Sequence, residues 1–328
     1  MRVCIFGAGA IGGLLGARLA NAGVDVSLVD RGPHLAAIQK NGLELRTANE
    51  SLHARPNAVS DASVLGPQDC VFIGLKAHSV PPALPAIVPL LGRETIVVWG
   101  VNGLPWWYFY GVDGPLRDRR IEAVDPGDQQ WDQIGPQRVL GCVVYPAAEV
   151  ESPGIVRLIE GDRFSIGELD GSRSERASAF AKALVTAGFR APVRTKIRDE
   201  IWIKLWGNLS FNPISVLTTA TLDVIAENPE TRAIARAMMV EGQAIGEKLG
   251  VRFAIDVDKR IDGSGAVGAH KTSMLQDLEK GRLMEVGALV DAVRELGRIV
   301  DLPTPTIDIV AGLVRQRALI AGCLPDPN

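Results

Sequence analysis

The spacing of apolar residues changes character along the chain. Up to about residue 195, short continuous apolar runs alternate with helical stretches. RVCIF (2–6) predicts a buried strand, IGGLLGARLANA (11–22) a helix stopped at Gly23, and VDVSLVD (24–30) a second strand. CVFIGLK (70–76), TIVVWG (95–100) and RVLGCVVYP (138–146) read as further strands. Unbroken apolar strands separated by helices predict a parallel, doubly wound sheet. SPGIVRLIEG and FSIGEL predict a hairpin-like addition at about 152–169, and 174–189 is an amphipathic helix stopped by Gly188. From about 196 strand signals almost vanish, and helices are predicted over 197–211, 229–249, roughly 270–300 and 304–321. The expected fold is α/β: a Rossmann-type, doubly wound N-terminal domain over 1–195 and an all-helical domain over 196–328. The tail LPDPN is expected to fray.

Composition narrows the function classes. The 328 residues are enough for about two domains, and 47% hydrophobic with 22% charged residues is ordinary for a soluble globular protein. A formal net charge of −3 argues against nucleic acid or an anionic membrane as the main partner. No apolar run is long enough for a transmembrane helix. The N-terminal apolar stretch imitates a signal peptide, but its glycine spacing, the strand that follows it and Arg18 argue against one. Cys4, Cys70, Cys142 and Cys323 are scattered, which suits buried reduced thiols in a cytoplasmic protein. No metal-ligand constellation and no GxSxG elbow is visible.

GAGAIG (7–12) supplies the first chemistry. It matches G-x-G-x-x-G with Gly7, Gly9 and Gly12, follows a strand and opens a helix, which is the context a dinucleotide site requires. The three glycines allow a tight turn, close approach of backbone to pyrophosphate, and close helix–strand packing. The helix N-terminus offers unpaired N–H groups to phosphate. At the end of the second strand two signals conflict. Asp30 is placed to accept from an unphosphorylated ribose, whereas Arg31 is placed to pair with a 2′-phosphate or to remain a solvated turn cation. Lys76 ends the third strand and Asn102 follows the fourth, at the ends that face the ligand crevice in such sheets. Each also reads as a surface or turn residue.

IWIKLWGNLSFNP (201–213) supplies the second. Trp202, Leu205, Trp206, Leu209 and Phe211 mark a buried helix, yet Lys204, Asn208 and Asn212 share one stripe of it. An ammonium and two amides are costly to bury without partners, so the stripe is expected to face a ligand rather than core. Pro213 is expected to end or kink the helix. In HKTSMLQDLEKGRLMEVG (270–287), Ser273, Gln276 and Asp277 fall close together, and Glu285 sits among Leu283, Met284 and Val286.

These pieces together resemble the ketopantoate reductase (2-dehydropantoate 2-reductase) family: GAGAIG, GLKAHSV around Lys76, the Asn102-Gly103 pair, IWIKLWGNLSFNP, and SMLQD (273–277) followed by Glu285. The resemblance runs from Met1 to about residue 310. It implies an NAD(P)H-dependent 2-oxoacid reductase turning 2-dehydropantoate into (R)-pantoate, with substrate in a cleft between the two domains. NADP is the expected cofactor, and NAD stays open because Asp30 precedes Arg31. The implied roles are Lys204 as proton donor and Glu285 as the partner of the substrate's far hydroxyl. Asn102, Asn208, Asn212 and Ser273 are the implied substrate contacts. Gly7, Gly9, Ala10, Ile11, Gly12, Asp30, Arg31, Lys76, Asn102 and Ala148 are the implied cofactor contacts. The partners are then a small 2-oxoacid and a second copy of the chain in a homodimer.

The sequence also departs from the family pattern. Gly287 stands where an acidic residue is common, and TTATLDV lacks a substrate-contacting asparagine. LPWWYFYG places five of the seventeen aromatics directly after Asn102. That segment reads either as core or as the wall of a more apolar pocket. A paralogous dehydrogenase of a bulkier substrate and a non-catalytic dinucleotide-binding protein therefore stay open beside the first reading.

Overall fold

The computed structural model describes residues 1–325; the end of the LPDPN tail, residues 326–328, lies outside them. Two compact units divide the chain. The first comprises Met1–Val101, Phe109–Arg119 and Asp128–Ile197; the second comprises Asn102–Tyr108, Arg120–Gly127 and the remainder from Arg198. The segments 102–108 and 120–127 thus pack with the helical part of the chain.

The first unit contains β1 (Arg2–Phe6), α1 (Ala10–Asn21), β2 (Asp25–Val29), α2 (Gly32–Asn41), β3 (Leu43–Arg46), β4 (Ser51–Ala54), β5 (Asn57–Val59) and β6 (Gln68–Ile73). The single turn α3 (Leu84–Ile87), β7 (Leu91–Trp99), α4 (Gln129–Ile134), β8 (Val139–Val144), β9 (Ala147–Ser152), β10 (Ile155–Glu160), β11 (Phe164–Gly167) and α5 (Glu175–Thr186) complete it. Seven strands form one sheet in the order β11-β8-β7-β6-β1-β2-β5. All neighbours are parallel except β11, which runs antiparallel to β8. From β1 the chain winds to β2 and β5 on one side and to β6, β7 and β8 on the other. The strand order therefore reverses between β1 and β6, the place where open α/β sheets bind ligands at their carboxyl ends. Val3, Ile5, Phe72, Val98 and Leu140 from the strands pack with Leu14, Leu15, Phe180 and Leu184 from the helices in one core.

A second sheet, ordered β4-β3-β10-β9, corrects the expected hairpin at 152–169. The hairpin is β9–β10, joined to β3 and β4, while β11 belongs to the large sheet. The missed strands are short and half-exposed: Leu43 and Leu45 face inward while Glu44 and Arg46 alternate outward. Arg46 bonds both Glu44 and Glu151 on the outer face.

The second unit has helices and no strands among its described residues: α6 (Ile197–Thr218, whose first residue belongs to the first unit), α7 (Leu222–Glu227), α8 (Pro229–Lys248), α9 (Val257–Gly265), α10 (Ser273–Glu279), α11 (Ala292–Ile299) and α12 (Pro305–Ile320). Trp202, Leu205, Trp206, Leu209, Met238, Met239, Ile245 and Leu296 are buried. The Trp206 indole donates to the Met239 carbonyl at 2.7 Å and packs at a tilt against Phe253 with ring centroids 4.7 Å apart. Pro213 does not end α6, which continues to Thr218. Its fixed φ is helical and only one backbone bond is lost. Burial of Phe211, Ile214 and Val216 around it offsets that loss. The expected single helix over 270–300 is broken: Gly281, at φ +60°, stops α10, and 282–285 are extended or irregular. The chain re-enters helix through a π-type turn at Gly287–Asp291 that leads into α11.

Candidate active site

In the first unit three chain segments meet at the carboxyl ends of neighbouring strands. β1 ends at Phe6, and Gly7 turns the chain at φ +96°, with its N–H bonded to the Val29 carbonyl at 2.9 Å. The Gly74 N–H, just after β6, bonds the Phe6 carbonyl at 2.9 Å. The glycines are required by contact as well as by φ. A Cβ on Gly12 would lie 1.9 Å from the Gly7 oxygen, and one on Gly74 would lie 2.8 Å from the same atom. Gly9, by contrast, has nothing within 4 Å of its missing Cβ. It precedes α1, which carries no side-chain cap and no acidic residue in its first turn. The uncapped N–H groups at Ala10, Ile11 and Gly12 with open space over Gly9 fit a dinucleotide pyrophosphate.

Asp30 and Arg31 follow β2. The Arg31 backbone N–H donates to the Asp30 carboxylate at 2.7 Å, which occupies one carboxylate oxygen, and Arg31 itself is exposed at the start of α2. Lys76 does not end a strand as expected. β6 stops at Ile73, and Lys76 caps the short turn Ala77–Ser79, half-buried, with its carbonyl accepting from the Ser79 N–H at 2.8 Å. Ala148 lies in β9, opposite Leu158 of β10, in the second sheet. That sheet also braces the glycine turn, since a Cβ on Gly13 would sit 2.7 Å from Val156.

In the second unit, α6 presents Lys204, Asn208 and Asn212 on successive turns. Lys204 and Asn208 are half-buried and Asn212 is buried. The Asn208 amide donates to the Asn102 side-chain oxygen at 3.1 Å, so two of the expected substrate residues form one polar pair. The same Asn102 segment is fixed to the 285–291 region. The Leu104 N–H donates to the Ala288 carbonyl at 2.9 Å, and a Cβ on Gly103, at φ +91°, would lie 2.6 Å from that oxygen. Glu285 stands half-buried just ahead of the π-type turn, a device that recurs at functional sites. Gly287 opens that turn, with a would-be Cβ 3.3 Å from the Ala123 carbonyl, so its missing side chain has a packing reason.

At the far end of the stripe, the Ser215 and Thr272 hydroxyls are hydrogen-bonded at 2.5 Å. Thr272 also caps α10 by accepting from the Leu275 N–H. Ser273, the next residue and exposed, is thereby tied to the end of α6 that carries Asn212. The Asn212 side-chain nitrogen is buried with no hydrogen-bond partner among the described residues. An unpaired buried amide donor costs about 1–3 kcal/mol, and that cost points to a ligand acceptor.

Some site-supporting residues carry no sequence signal. Ser215 and Thr272 are among them, because their pairing spans the fold. His34 is another: its ring bonds both the Ala8 carbonyl and the Gly154 N–H at 3.0 Å. The aromatic segment resolves in favour of core. Trp106, Trp107, Tyr108 and Phe109 are at most 2% exposed. The Trp202 indole donates to the Tyr108 hydroxyl at 2.7 Å, and the Arg198 guanidinium donates to the Tyr108 carbonyl at 2.7 Å. Burial pushes the Tyr108 hydroxyl up to about 12 and pulls the Arg198 guanidinium down. All four cysteines are buried and unbridged. No helix among the described residues is long and apolar enough to cross a membrane.

Comparison with known proteins converges on one family. The profile described as ketopantoate reductase PanE/ApbA matches residues 3–171, and the one for its C-terminal part matches 196–318. A 2-dehydropantoate 2-reductase of Mesorhizobium japonicum is 61% identical over 324 residues, covering 98% of this chain and 99% of the relative. A ketopantoate-reductase-like protein from Ralstonia solanacearum MolK2 superposes with TM-score 0.94 at 42% identity, over 99% of both chains. A D-mandelate dehydrogenase, solved with NADH and anilino(oxo)acetate, shares the fold at TM-score 0.83 but only 21% identity, covering 98% of this chain and 99% of its own. This chain is an oxidoreductase of the ketopantoate reductase family.

Proposed function

We propose that the protein reduces 2-dehydropantoate to (R)-pantoate, with NADPH as the preferred donor. The observation that carries the reading is 61% identity over nearly the full length to an enzyme named for that reaction. The first unit, from β1 through α5, is the dinucleotide domain, and the helical unit from α6 onward is the substrate domain. Gly7, Gly9, Ala10, Ile11 and Gly12 receive the pyrophosphate, and Lys76, Asn102 and Ala148 contact the cofactor nearer its reactive end. Arg31, exposed at the start of α2, pairs with the 2′-phosphate, while Asp30 is held by the Arg31 N–H. When bound, the reduced nicotinamide supplies hydride to the 2-oxo carbon.

The remaining chemistry belongs to the protein. Negative charge develops on the substrate's 2-oxygen, and the Lys204 ammonium stabilises it and donates the proton. A compact ammonium can do both, which neither asparagine can. Asn208, oriented by Asn102 at 3.1 Å, and Asn212 with its unpaired N–H hold the substrate without adding charge. Ser273 binds the substrate carboxylate at the start of α10, and Glu285 accepts from the far hydroxyl. Purified protein given 2-dehydropantoate and a panel of bulkier 2-oxoacids, each with NADPH and with NADH, tests the proposal. Highest kcat/KM for 2-dehydropantoate with NADPH supports it; a tenfold preference for a bulkier ketone overturns the substrate assignment.

A further inference from the structure

The glycine turn is held from a direction that the dinucleotide fingerprint does not specify. His34, in the first turn of α2, uses both ring nitrogens. Its Nδ1 accepts from the Gly154 N–H at 3.0 Å, and Nε2 lies 3.0 Å from the Ala8 carbonyl. A backbone N–H can only donate and a carbonyl can only accept, so Nδ1 is bare and Nε2 carries the proton. The imidazole is therefore a fixed strut between the glycine turn and the β9–β10 turn. Its second anchor is firm. Gly154 is at φ +82° and its would-be Cβ sits 3.0 Å from Ala37 of α2, while its carbonyl accepts from the Glu44 N–H at 2.9 Å.

Ala8 and Gly9 share one planar trans peptide, in which C=O and N–H point in opposite directions. Holding the Ala8 carbonyl toward His34 therefore fixes the direction of the Gly9 N–H on the opposite side. Gly9 can rotate widely, since it has neither a side chain nor anything within 4 Å of where one would be. The feature that opens the turn to phosphate also leaves that N–H loosely aimed unless the peptide plane is held elsewhere.

We propose that His34 is a positioning residue for the dinucleotide: it locks the Ala8–Gly9 peptide and aims the Gly9 N–H at the pyrophosphate. The proposal rests on the dinucleotide-binding reading above. Its effect is on cofactor affinity, not on the chemical step or on the 2-oxoacid.

The test uses the full-length protein with His34→Ala and His34→Gln. The glutamine amide can still donate to the Ala8 carbonyl. Dissociation constants for NADPH and NADH are measured by quenching of tryptophan fluorescence, and backbone hydrogen exchange of residues 7–13 is followed without cofactor. For His34→Ala, a five- to tenfold weaker dissociation constant is expected, about the loss of one hydrogen bond. Exchange at 7–13 should also be faster, with kcat at saturating cofactor and KM for the 2-oxoacid unchanged. His34→Gln should restore affinity to within about twofold of wild type. Undiminished affinity in His34→Ala overturns the proposal, as does a fall in kcat or a rise in the 2-oxoacid KM of the same size as the cofactor effect, or a failure of glutamine to rescue. Should wild type itself bind neither dinucleotide, the parent reading fails instead, and the two failures are distinct.

Discussion

Replacing Asn212 by leucine should move stability and activity in opposite directions. The side chain is 4% exposed, and its amide nitrogen has no partner among the described residues. Leaving such a donor unpaired costs about 1–3 kcal/mol in the free enzyme. Leucine has similar length and no polar atom, so the substitution removes that cost. Its branching within a buried turn beside Phe211 and Ile214 returns part of the gain, leaving a net stabilisation of roughly 1 kcal/mol. The Ser215 hydroxyl bond goes to the backbone carbonyl of residue 212, at 2.7 Å, and survives the change. For a chain of this size the melting temperature should rise by about 2 °C.

Activity should fall, because a hydrogen bond to a charged substrate group is worth about 1.5–3 kcal/mol. At 1.36 kcal/mol per factor of ten, kcat/KM drops roughly 10- to 150-fold. Thermal melts without ligand and initial rates with 2-dehydropantoate read the two effects separately. An unchanged kcat/KM refutes the substrate role of Asn212. A lower melting temperature refutes the claim that its amide is unpaired in the free protein.

Lys204→Ala should lower kcat at least about 100-fold, the scale of a lost general acid, while dinucleotide affinity stays at the wild-type value; a near-normal rate removes the lysine from the mechanism. Glu285→Ala should raise the 2-oxoacid KM about tenfold and leave the cofactor dissociation constant intact, since the loss is of one charged hydrogen bond. If both constants worsen equally, Glu285 is structural. Arg31→Ala should lower kcat/KM with NADPH about 10- to 100-fold, the weight of a charge-assisted phosphate contact, and barely alter it with NADH. Equal effects on the two cofactors would assign Arg31 to the solvated turn instead.

What the sequence disclosed was local. GAGAIG reads directly because its tightest requirement is local: a Cβ on Gly12 would lie 1.9 Å from the oxygen of Gly7, five residues earlier. The stripe of Lys204, Asn208 and Asn212 reads because helical period alone puts the three on one side. What stayed hidden is pairing between distant residues. Asn102 reads as a turn residue after a strand, and only the folded chain sets it 3.1 Å from Asn208. The strands β3 and β4 are short, with polar residues on alternate positions, and their signal is weaker than that of the buried strands. The break between α10 and α11 is hidden by Leu283, Met284 and Val286, which continue a helical-looking apolar pattern across 282–285, residues that are not helical. Of the two outcomes expected at Pro213, the helix does not end there, because tertiary burial outweighs the roughly 3 kcal/mol that proline costs inside a helix.

The aromatic segment after Asn102 bears on substrate choice through the helix it holds. Had Trp106, Trp107 and Tyr108 lined a binding surface, they would argue for a bulkier ketone than 2-dehydropantoate. They are instead packed away at 2% exposure or less, and Tyr108 is tied to α6. Tyr108 accepts from the Trp202 indole through its hydroxyl and from Arg198 through its carbonyl. Trp202 and Arg198 lie within two turns of Lys204 on the same helix. In the proton-donor role proposed for it, Lys204 must be held to within a fraction of an ångström to be effective, which depends on the helix that carries it. The aromatic excess thus buttresses the helix bearing Lys204, which removes the strongest sequence-based argument for a different substrate. The fold shared with a D-mandelate dehydrogenase does not restore that argument, because at 21% identity it speaks for architecture alone. On the proposed reading, selectivity rests with the few polar groups around Asn212, Ser273 and Glu285, where removing one hydrogen bond is enough to change which ketone is preferred.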